Sequence, residues 1–231
     1  MKLLAFETAT EACSVALYAD GEIIERFEIA PRRHAELSLP WADALLAEAG
    51  IAKSQLDAIA FSRGPGAFTG VRLAIALSQG IALALDRPLV PISTLAVLAA
   101  QSDGARILAA IDARMGEVYT GTFLRSGDTL EATSAEAVIA PADYGLAGDE
   151  QDWCGVGTGF AAAEGRLQTR LAERFVHIDA TALPHAADLA RLAAQAYARG
   201  EAVAPERVEP AYLRNNVALT LEEQKALRAS R

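Results

Sequence analysis

The sequence predicts an α/β protein made of two related halves, each with a mixed sheet flanked by helices. Along most of the chain, short segments that are apolar or that alternate between apolar and polar residues are followed by segments with helical spacing of apolar residues. One pattern occurs twice, around Glu7 and again around Asp112. It consists of a strand that ends in a carboxylate, then a tight turn, then a second strand. This weak internal symmetry indicates a duplication with its boundary near residues 101–105.

The first half begins with strand patterns at residues 2–6, 12–19 and 22–29, and Asp20-Gly21 is a hairpin signal between the last two. Three adjacent antiparallel strands are therefore expected. Apolar residues at helical spacing follow over 34–49, where Gly50 marks a helix end. Strands are predicted at 57–63 and 88–92, and Ser93 is predicted to cap a helix that reaches residue 101.

The second half repeats the opening with strands at 106–111 and 117–124. A glycine-rich turn at 155–159 follows a possible strand, and helices are predicted at 160–171 and 186–199. The charged tail, residues 219–231, is predicted to be a frayed helix or disordered.

The segment 62–85 is the most unusual stretch. Its helix is predicted to start near Thr69, a plausible N-cap, and from residue 71 onward only Arg72, Ser78 and Gln79 are polar. A helix that is apolar on all sides must be buried on all sides, yet this one is too short for the roughly 20 residues of a membrane span. Two interpretations stay open: enclosure within its own domain, or a surface covered by another protein.

Charge and cysteine usage restrict the possible functions. Thirty acidic residues against 21 basic ones give a net charge of −9, which argues against nucleic-acid binding by this chain alone. Cys13 and Cys154 match no zinc or redox spacing. The N-terminus lacks the apolar core of a signal peptide, so a cytoplasmic protein with no membrane contact is expected.

Residues 6–17, FETATEACSVAL, have the layout of the first phosphate loop of the sugar-kinase, Hsp70 and actin superfamily. Glu7 and Ala9 stand where that loop has Asp and Gly, and the methyl group of Ala9 impedes the approach of a phosphate. The hydroxyls of Thr8 and Thr10 remain as possible ligands. ATP binding and a purely structural hairpin are both considered, with the hairpin favoured.

Gly64 and Gly66 allow the same two interpretations. They are candidates for a second anion-binding loop at a helix N-terminus, and equally for a sharp turn that lets the helix pack closely. His34 is considered as a metal ligand, but the position one turn later on the helix is Ser38, so no metal site is expected.

Five segments closely resemble the bacterial TsaB (YeaZ) family: FETATEACSVAL, HAELSLP, RGPGAFTGVRLAIALSQGIA, IDARMGEVY and AYLRNNVA. The resemblance follows the chain in order over nearly its whole length. It implies a two-lobed actin-like fold of the ASKHA type, a duplicated RNase H-like fold. The lobes are expected at 1–102, which carries the partner-binding helices, and at 103–231, which includes the charged tail.

The same resemblance implies a pseudo-enzyme without catalytic residues. Such proteins are partners of the catalytic subunit TsaD and of the ATPase TsaE in threonylcarbamoyl transfer to N6 of the adenosine next to the anticodon of tRNA. It implies no required cofactor, with ATP or ADP bound weakly or only with the partner. It also implies indirect contact with tRNA, and a possible homodimer when TsaD is absent.

The resemblance places the TsaD contact on the two helices of the first lobe. The residues expected at this interface are Leu37, Trp41, Leu45, Val71, Ile75, Ser78 and Ala82. The alternative function is an ATP-dependent phosphotransferase of the same superfamily, which would use Glu7 and Asp112 to hold Mg-ATP.

Overall fold

The chain forms two β-sheets of matching topology. This is seen in a computed structural model, which describes residues 1–214. The first sheet has the order β3-β2-β1-β4-β5, in which β1 to β3 are antiparallel and β4 and β5 run parallel to β1. Its strands are β1 (Lys2–Glu7), β2 (Ala12–Ala19), β3 (Glu22–Ile29), β4 (Ala58–Ser62) and β5 (Leu89–Ile92).

The second sheet has the order β8-β7-β6-β10-β11, and its antiparallel and parallel pairs correspond to those of the first. One more strand, β9, pairs with β7. The duplication predicted from the sequence is thereby confirmed. The strands are β6 (Arg106–Arg114), β7 (Glu117–Ser126), β8 (Thr129–Ala132), β9 (Ala137–Ile139), β10 (Trp153–Val156) and β11 (Phe175–Asp179).

Helices cover both faces of each sheet. The first two pack on one face of the first sheet and the last helix packs on its opposite face, while the other two lie on opposite faces of the second sheet. They are α1 (His34–Glu48), α2 (Phe68–Leu85), α3 (Thr94–Ala100), α4 (Ala162–Arg170) and α5 (Ala186–Ala198). The sheets divide between β5 and β6, although α5, which follows the second sheet in sequence, packs on the first.

The sequence located most helices closely, and two details differ. The Ser93 cap is confirmed, since its hydroxyl accepts the amides of Leu95 and Ala96. Thr69 is not an N-cap, because α2 already begins at Phe68 after Ala67, whose side chain cannot cap. The helix predicted at 160–171 is reduced to α4, in which residues 163–165 have left-handed backbone angles. The predicted tail, 219–231, lies outside the described residues.

A hydrogen-bonded cluster fixes the N-terminus of α5 to the first sheet. Ser14 on β2 donates its hydroxyl to Glu25 on β3 (2.7 Å) and accepts the Ala186 amide (3.0 Å). Glu25 also accepts the Ala187 amide at 3.0 Å. The Ser14 hydroxyl and the Glu25 carboxylate therefore each accept one first-turn amide of α5, whose own N-cap residue provides no side-chain partner.

His185 completes this cluster. Its Nδ1 lies 3.1 Å from Glu25, and its ring stacks on Phe27 with centroids 4.1 Å apart. The hydrogen bond to Glu25 raises the pKa of His185. Burial tends to raise the pKa of Glu25, but hydrogen bonds from His185, Ser14 and the Ala187 amide lower it overall.

We predict that Glu25→Ala destabilises the protein by about 2 kcal/mol, because α5 loses its capping carboxylate and Ser14 and His185 lose a partner. In the wild type, the contribution of protonated His185 is complete below its unfolded pKa of about 6.5 and is lost as pH rises through the higher folded value. Urea denaturation between pH 5.5 and 9 measures both effects. Glu22→Ala, an exposed change on the same strand, is the control. Equal stabilities of the two variants would contradict the prediction.

Candidate functional site

The turn between β1 and β2 contains the segment that resembles a phosphate loop. Its carboxylate, Glu7, is fully buried, accepts the Ala9 amide at 2.8 Å and also accepts the Ser62 hydroxyl. Burial raises the pKa of Glu7 to about 7, and these hydrogen bonds offset only part of the effect. Glu7 is enclosed by protein rather than facing the space between the sheets, so the phosphotransferase alternative gains no support from it.

The glycine-rich loop before α2 packs directly on this turn. The Ala67 amide donates to the Ala9 carbonyl oxygen at 2.7 Å, and Thr8 Oγ1 donates to the Gly70 carbonyl oxygen at 2.7 Å. A Cβ atom at Gly66 would lie 2.4 Å from the Ala9 oxygen, and one at Gly70 would lie 1.9 Å from the Thr8 oxygen. Close packing of two backbones therefore requires these two glycines.

This contact places all four predicted nucleotide-binding residues in one region. Thr8, Thr10 and Gly64 are buried, and Gly66 lies against the Ala9 backbone. Thr8 and Gly66 contact the facing loop, while Thr10 and Gly66 also line a neighbouring cavity. The geometry thus favours the structural interpretation of the glycines, as a close turn between strand and helix.

A cavity of about 930 Å³ lies between the two halves, next to these loops. Its charged lining residues are largely matched inside the protein: Asp112 forms an ion pair with Arg114 at 2.8 Å, and Arg214 forms one with Glu117. The remaining lining is mostly apolar. Asp112 is therefore already engaged by an arginine, which weakens its assignment as a ligand of Mg-ATP.

His34, the candidate metal ligand, connects α1 to the β1–β2 turn. Its Nε2 lies 3.0 Å from the Thr10 carbonyl oxygen and 3.1 Å from that of Ala12, while Ser38 donates to the His34 carbonyl oxygen. Within residues 1–214, no three His, Cys, Asp or Glu side chains are grouped so as to hold a metal ion.

The packing of α2 on the first sheet disagrees with most of the predicted partner interface. Four of the expected contact residues on α2 are buried against the first sheet, and so is one on α1, so these side chains cannot meet a partner. They are Val71, Ile75, Ser78, Ala82 and Leu45. Leu37 and Trp41 of α1 are partly exposed, and they retain access to solvent.

The outer face of α2 carries apolar residues that residues 1–214 leave exposed or half-exposed. Five partly or fully exposed residues form this outer face: Leu73, Ala76, Gly80, Leu83 and Ala84. Leu83 is 67% exposed. On α1, exposed Leu39 adds to the apolar surface on the same side of the sheet. The helix has 18 residues, longer than the sequence predicted, and within residues 1–214 it alone is long and apolar enough to cross a membrane. Its inner face is nevertheless packed on the first sheet.

Sequence reasoning selected the wrong side of α2 for a physical reason. With apolar residues all round, hydrophobicity gives little indication of which side meets the sheet. Arg72 is exposed and Gln79 is half-buried, where it donates to the Pro205 carbonyl oxygen, and these two polar residues were the available signal. Ser78 misleads, since its hydroxyl is buried without a hydrogen-bond partner among the described residues.

We predict that Glu7→Gln stabilises the protein above pH 7 by about 3 kcal/mol. The folded carboxyl has a pKa of about 7, above its ordinary 4.5, so wild-type stability falls as pH rises between these values. Glutamine does not ionise, its amide oxygen can still accept the Ala9 amide, and its NH₂ group can donate to the Ser62 oxygen in place of the bond that Ser62 donates to Glu7. Urea denaturation from pH 4 to 8.5 measures this, with the exposed neighbouring change Glu11→Gln as control. A less stable Gln variant at pH 8 would refute the prediction.

Comparisons with known proteins agree on one family. The chain is 41% identical to the tRNA threonylcarbamoyladenosine biosynthesis protein TsaB of Escherichia coli, over 94% of this chain and 96% of that protein. The TsaB protein of Haemophilus influenzae is 37% identical over 94% of this chain and 95% of its own length. The structure of YeaZ from Pseudomonas aeruginosa matches with a TM-score of 0.83 and 46% identity, over 92% of this chain and 99% of that one.

A family model described as TsaD, tRNA N6-adenosine threonylcarbamoyltransferase, matches residues 26–221. The transferase of that name from Chlorobaculum tepidum is 32% identical over 108 residues, which is 40% of this chain and 31% of the transferase. The chain thus shares its architecture with the transferase but aligns with TsaB proteins over nearly their full length. It belongs to the TsaB (YeaZ) family.

Proposed function

We propose that this chain is the non-catalytic partner of a TsaD-type transferase in the biosynthesis of threonylcarbamoyladenosine in tRNA. The observation that carries the proposal is the outer face of α2, an apolar helix surface that the described part of the chain leaves largely exposed. Removing such a surface from water is favourable, and small residues such as Ala76 and Gly80 let a partner helix approach closely.

The relatives support the choice of partner. Curated proteins similar to this chain over nearly its whole length are named for threonylcarbamoyladenosine biosynthesis, and a model of the transferase family matches most of the chain. We infer that the pairing joins two chains of related fold through α1 and α2 of this chain.

The buried turn supports a role without catalysis by this chain. A kinase-like site needs a carboxylate that reaches Mg²⁺ and amides open to phosphates. Here Glu7 is enclosed and the Ala9 amide is bonded to it. We therefore propose that the chain requires no cofactor of its own, and that any ATP or ADP binds weakly or through the assembled complex.

Charge and composition suggest how the work is divided. With a net charge of −9, this chain provides little attraction for tRNA phosphates, so the proposal assigns the tRNA surface mainly to the partner. Further parts of the proposal are a ternary complex with the ATPase TsaE, self-association through the same helices when TsaD is absent, and a cytoplasmic location.

Ala76→Glu is expected to weaken binding to the TsaD protein of the same organism by about 100-fold or more, because it places an unpaired carboxylate in an apolar interface. Leu83→Glu should act in the same direction. Biolayer interferometry measures the dissociation constants. Thermal melting should show both variants folded, since the altered side chains face solvent in the isolated chain.

Ala198→Glu on α5 is the matched control, an exposed helical alanine on the opposite side of the first sheet. It is expected to bind as the wild type does. Ile75→Glu should instead unfold the protein, since Ile75 is buried in the core. Wild-type affinity of both Ala76→Glu and Leu83→Glu would refute the proposed surface.

A further inference from the structure

Arg72 occupies an uncommon environment at the start of the outer face of α2. Its guanidinium carbon lies 3.7 Å from the centroid of the Phe68 ring and 5.6 Å from that of Tyr212. Its Nε donates to the Tyr212 hydroxyl at 2.7 Å. Two aromatic rings and one hydrogen bond, from segments 140 residues apart, therefore hold the guanidinium in a fixed position.

The terminal edge of this guanidinium is open. Within residues 1–214, no carboxylate lies within ion-pair distance of Arg72, and its two terminal nitrogens make no hydrogen bond. Neighbouring arginines differ, since Arg63 pairs with Glu136 and Arg114 with Asp112. In a chain with more acidic than basic residues, a fixed arginine with an open edge is ready to bind an anion from outside.

The surroundings of Arg72 have the composition of a protein interface. Phe68 is 52% exposed and Tyr212 is 49% exposed, although both are large and mainly apolar. Aromatic residues and arginine are enriched where protein interfaces are most tightly bound. Arg72 also lies one helical turn from Ala76, so this cluster continues the outer face of α2 towards its N-terminus.

We propose that Phe68, Arg72 and Tyr212 form the polar end of the partner-binding surface, where Arg72 binds a carboxylate side chain of the partner protein through its two terminal nitrogens. The inference rests on the proposed function and names the chemistry of one of its contacts. A planar guanidinium that is already immobilised loses little conformational entropy on binding, so the pair contributes to affinity as well as to orientation.

A tRNA phosphate is the competing anion, and two observations favour a carboxylate. The apolar outer face of α2 adjoins Arg72, and phosphate-binding surfaces are strongly positive rather than apolar. In addition, the nearby Arg114 and Arg214 are neutralised by Asp112 and Glu117. One open arginine suits a single carboxylate better than a polyanion.

The test measures dissociation constants between this chain and the TsaD protein of the same organism at 50 and 300 mM salt. Arg72→Ala is expected to weaken binding 10- to 100-fold and to reduce its salt dependence. Arg72→Lys should lose most of the same affinity, since an ammonium group retains the charge but not the bidentate geometry or the stacking. Arg166→Ala, at an exposed helical arginine of the second half, is the matched control.

A scan of the partner's surface with Asp→Asn and Glu→Gln changes identifies the second member of the pair. One of these substitutions is expected to weaken binding to the wild-type chain. The same substitution should weaken binding to the Arg72→Ala variant only slightly, because both changes remove the same contact and their effects are non-additive. Thermal melting checks that every variant is folded.

The outcomes separate this inference from the proposed function. If Ala76→Glu disrupts binding while both Arg72 variants bind like the wild type, the carboxylate contact is wrong and the proposed partner surface stands. If the wild-type chain does not bind TsaD, both are wrong. If Arg72→Ala lowers the affinity of the complex for tRNA but leaves the affinity between the proteins unchanged, the ligand of Arg72 is a phosphate and the inference is overturned.

Discussion

The structure depends on the different environments of the two sides of α2. One side of this helix packs on the first sheet through Val71, Ile75 and Ala82, and that packing fixes the helix in place. The other side is also apolar, and the described chain leaves it open. Burial of the first side stabilises the fold, and the proposed association would remove the second side from water with a further gain in free energy. The same sequence feature thus serves both folding and the proposed assembly.

The contact between the two loops closes the turn whose sequence resembles a phosphate loop. The Ala67 amide, near the N-terminus of α2, donates to a carbonyl oxygen of the β1–β2 turn, and Gly66 and Gly70 permit that approach. This packing orients α2 rigidly relative to the sheet. A rigid helix loses less conformational entropy when a partner docks, so closing the loop and presenting the helix are parts of one arrangement.

Local patterns predicted most of the fold. The alternating residues of β2 and β3, the Asp20-Gly21 turn and the Ser93 cap are local signals, and each is found in the structure. The repeated strand, turn and strand around Glu7 and Asp112 predicted the duplication. The sequence did not predict the orientation of α2, because uniform apolar composition leaves the helix without a marked polar side. It also missed the contacts of Glu25 with His185 and of Arg72 with Tyr212, which join residues more than 100 positions apart.

The contrast between Glu7 and Arg72 explains why this architecture suits a partner better than a catalyst. Glu7 lies in the turn whose sequence resembles a phosphate loop, but burial raises its pKa to about 7 and its hydrogen-bond partners belong to its own chain. Arg72 is ordered by two aromatic rings, yet its binding edge faces outward. A group that acts on a substrate must be both ordered and accessible. In this chain the accessible ordered group lies at the N-terminal end of the outer face of α2, beside two rings that also line the cavity, and not in the β1–β2 turn. The proposed recognition therefore uses the surface of α2 rather than the buried carboxylate.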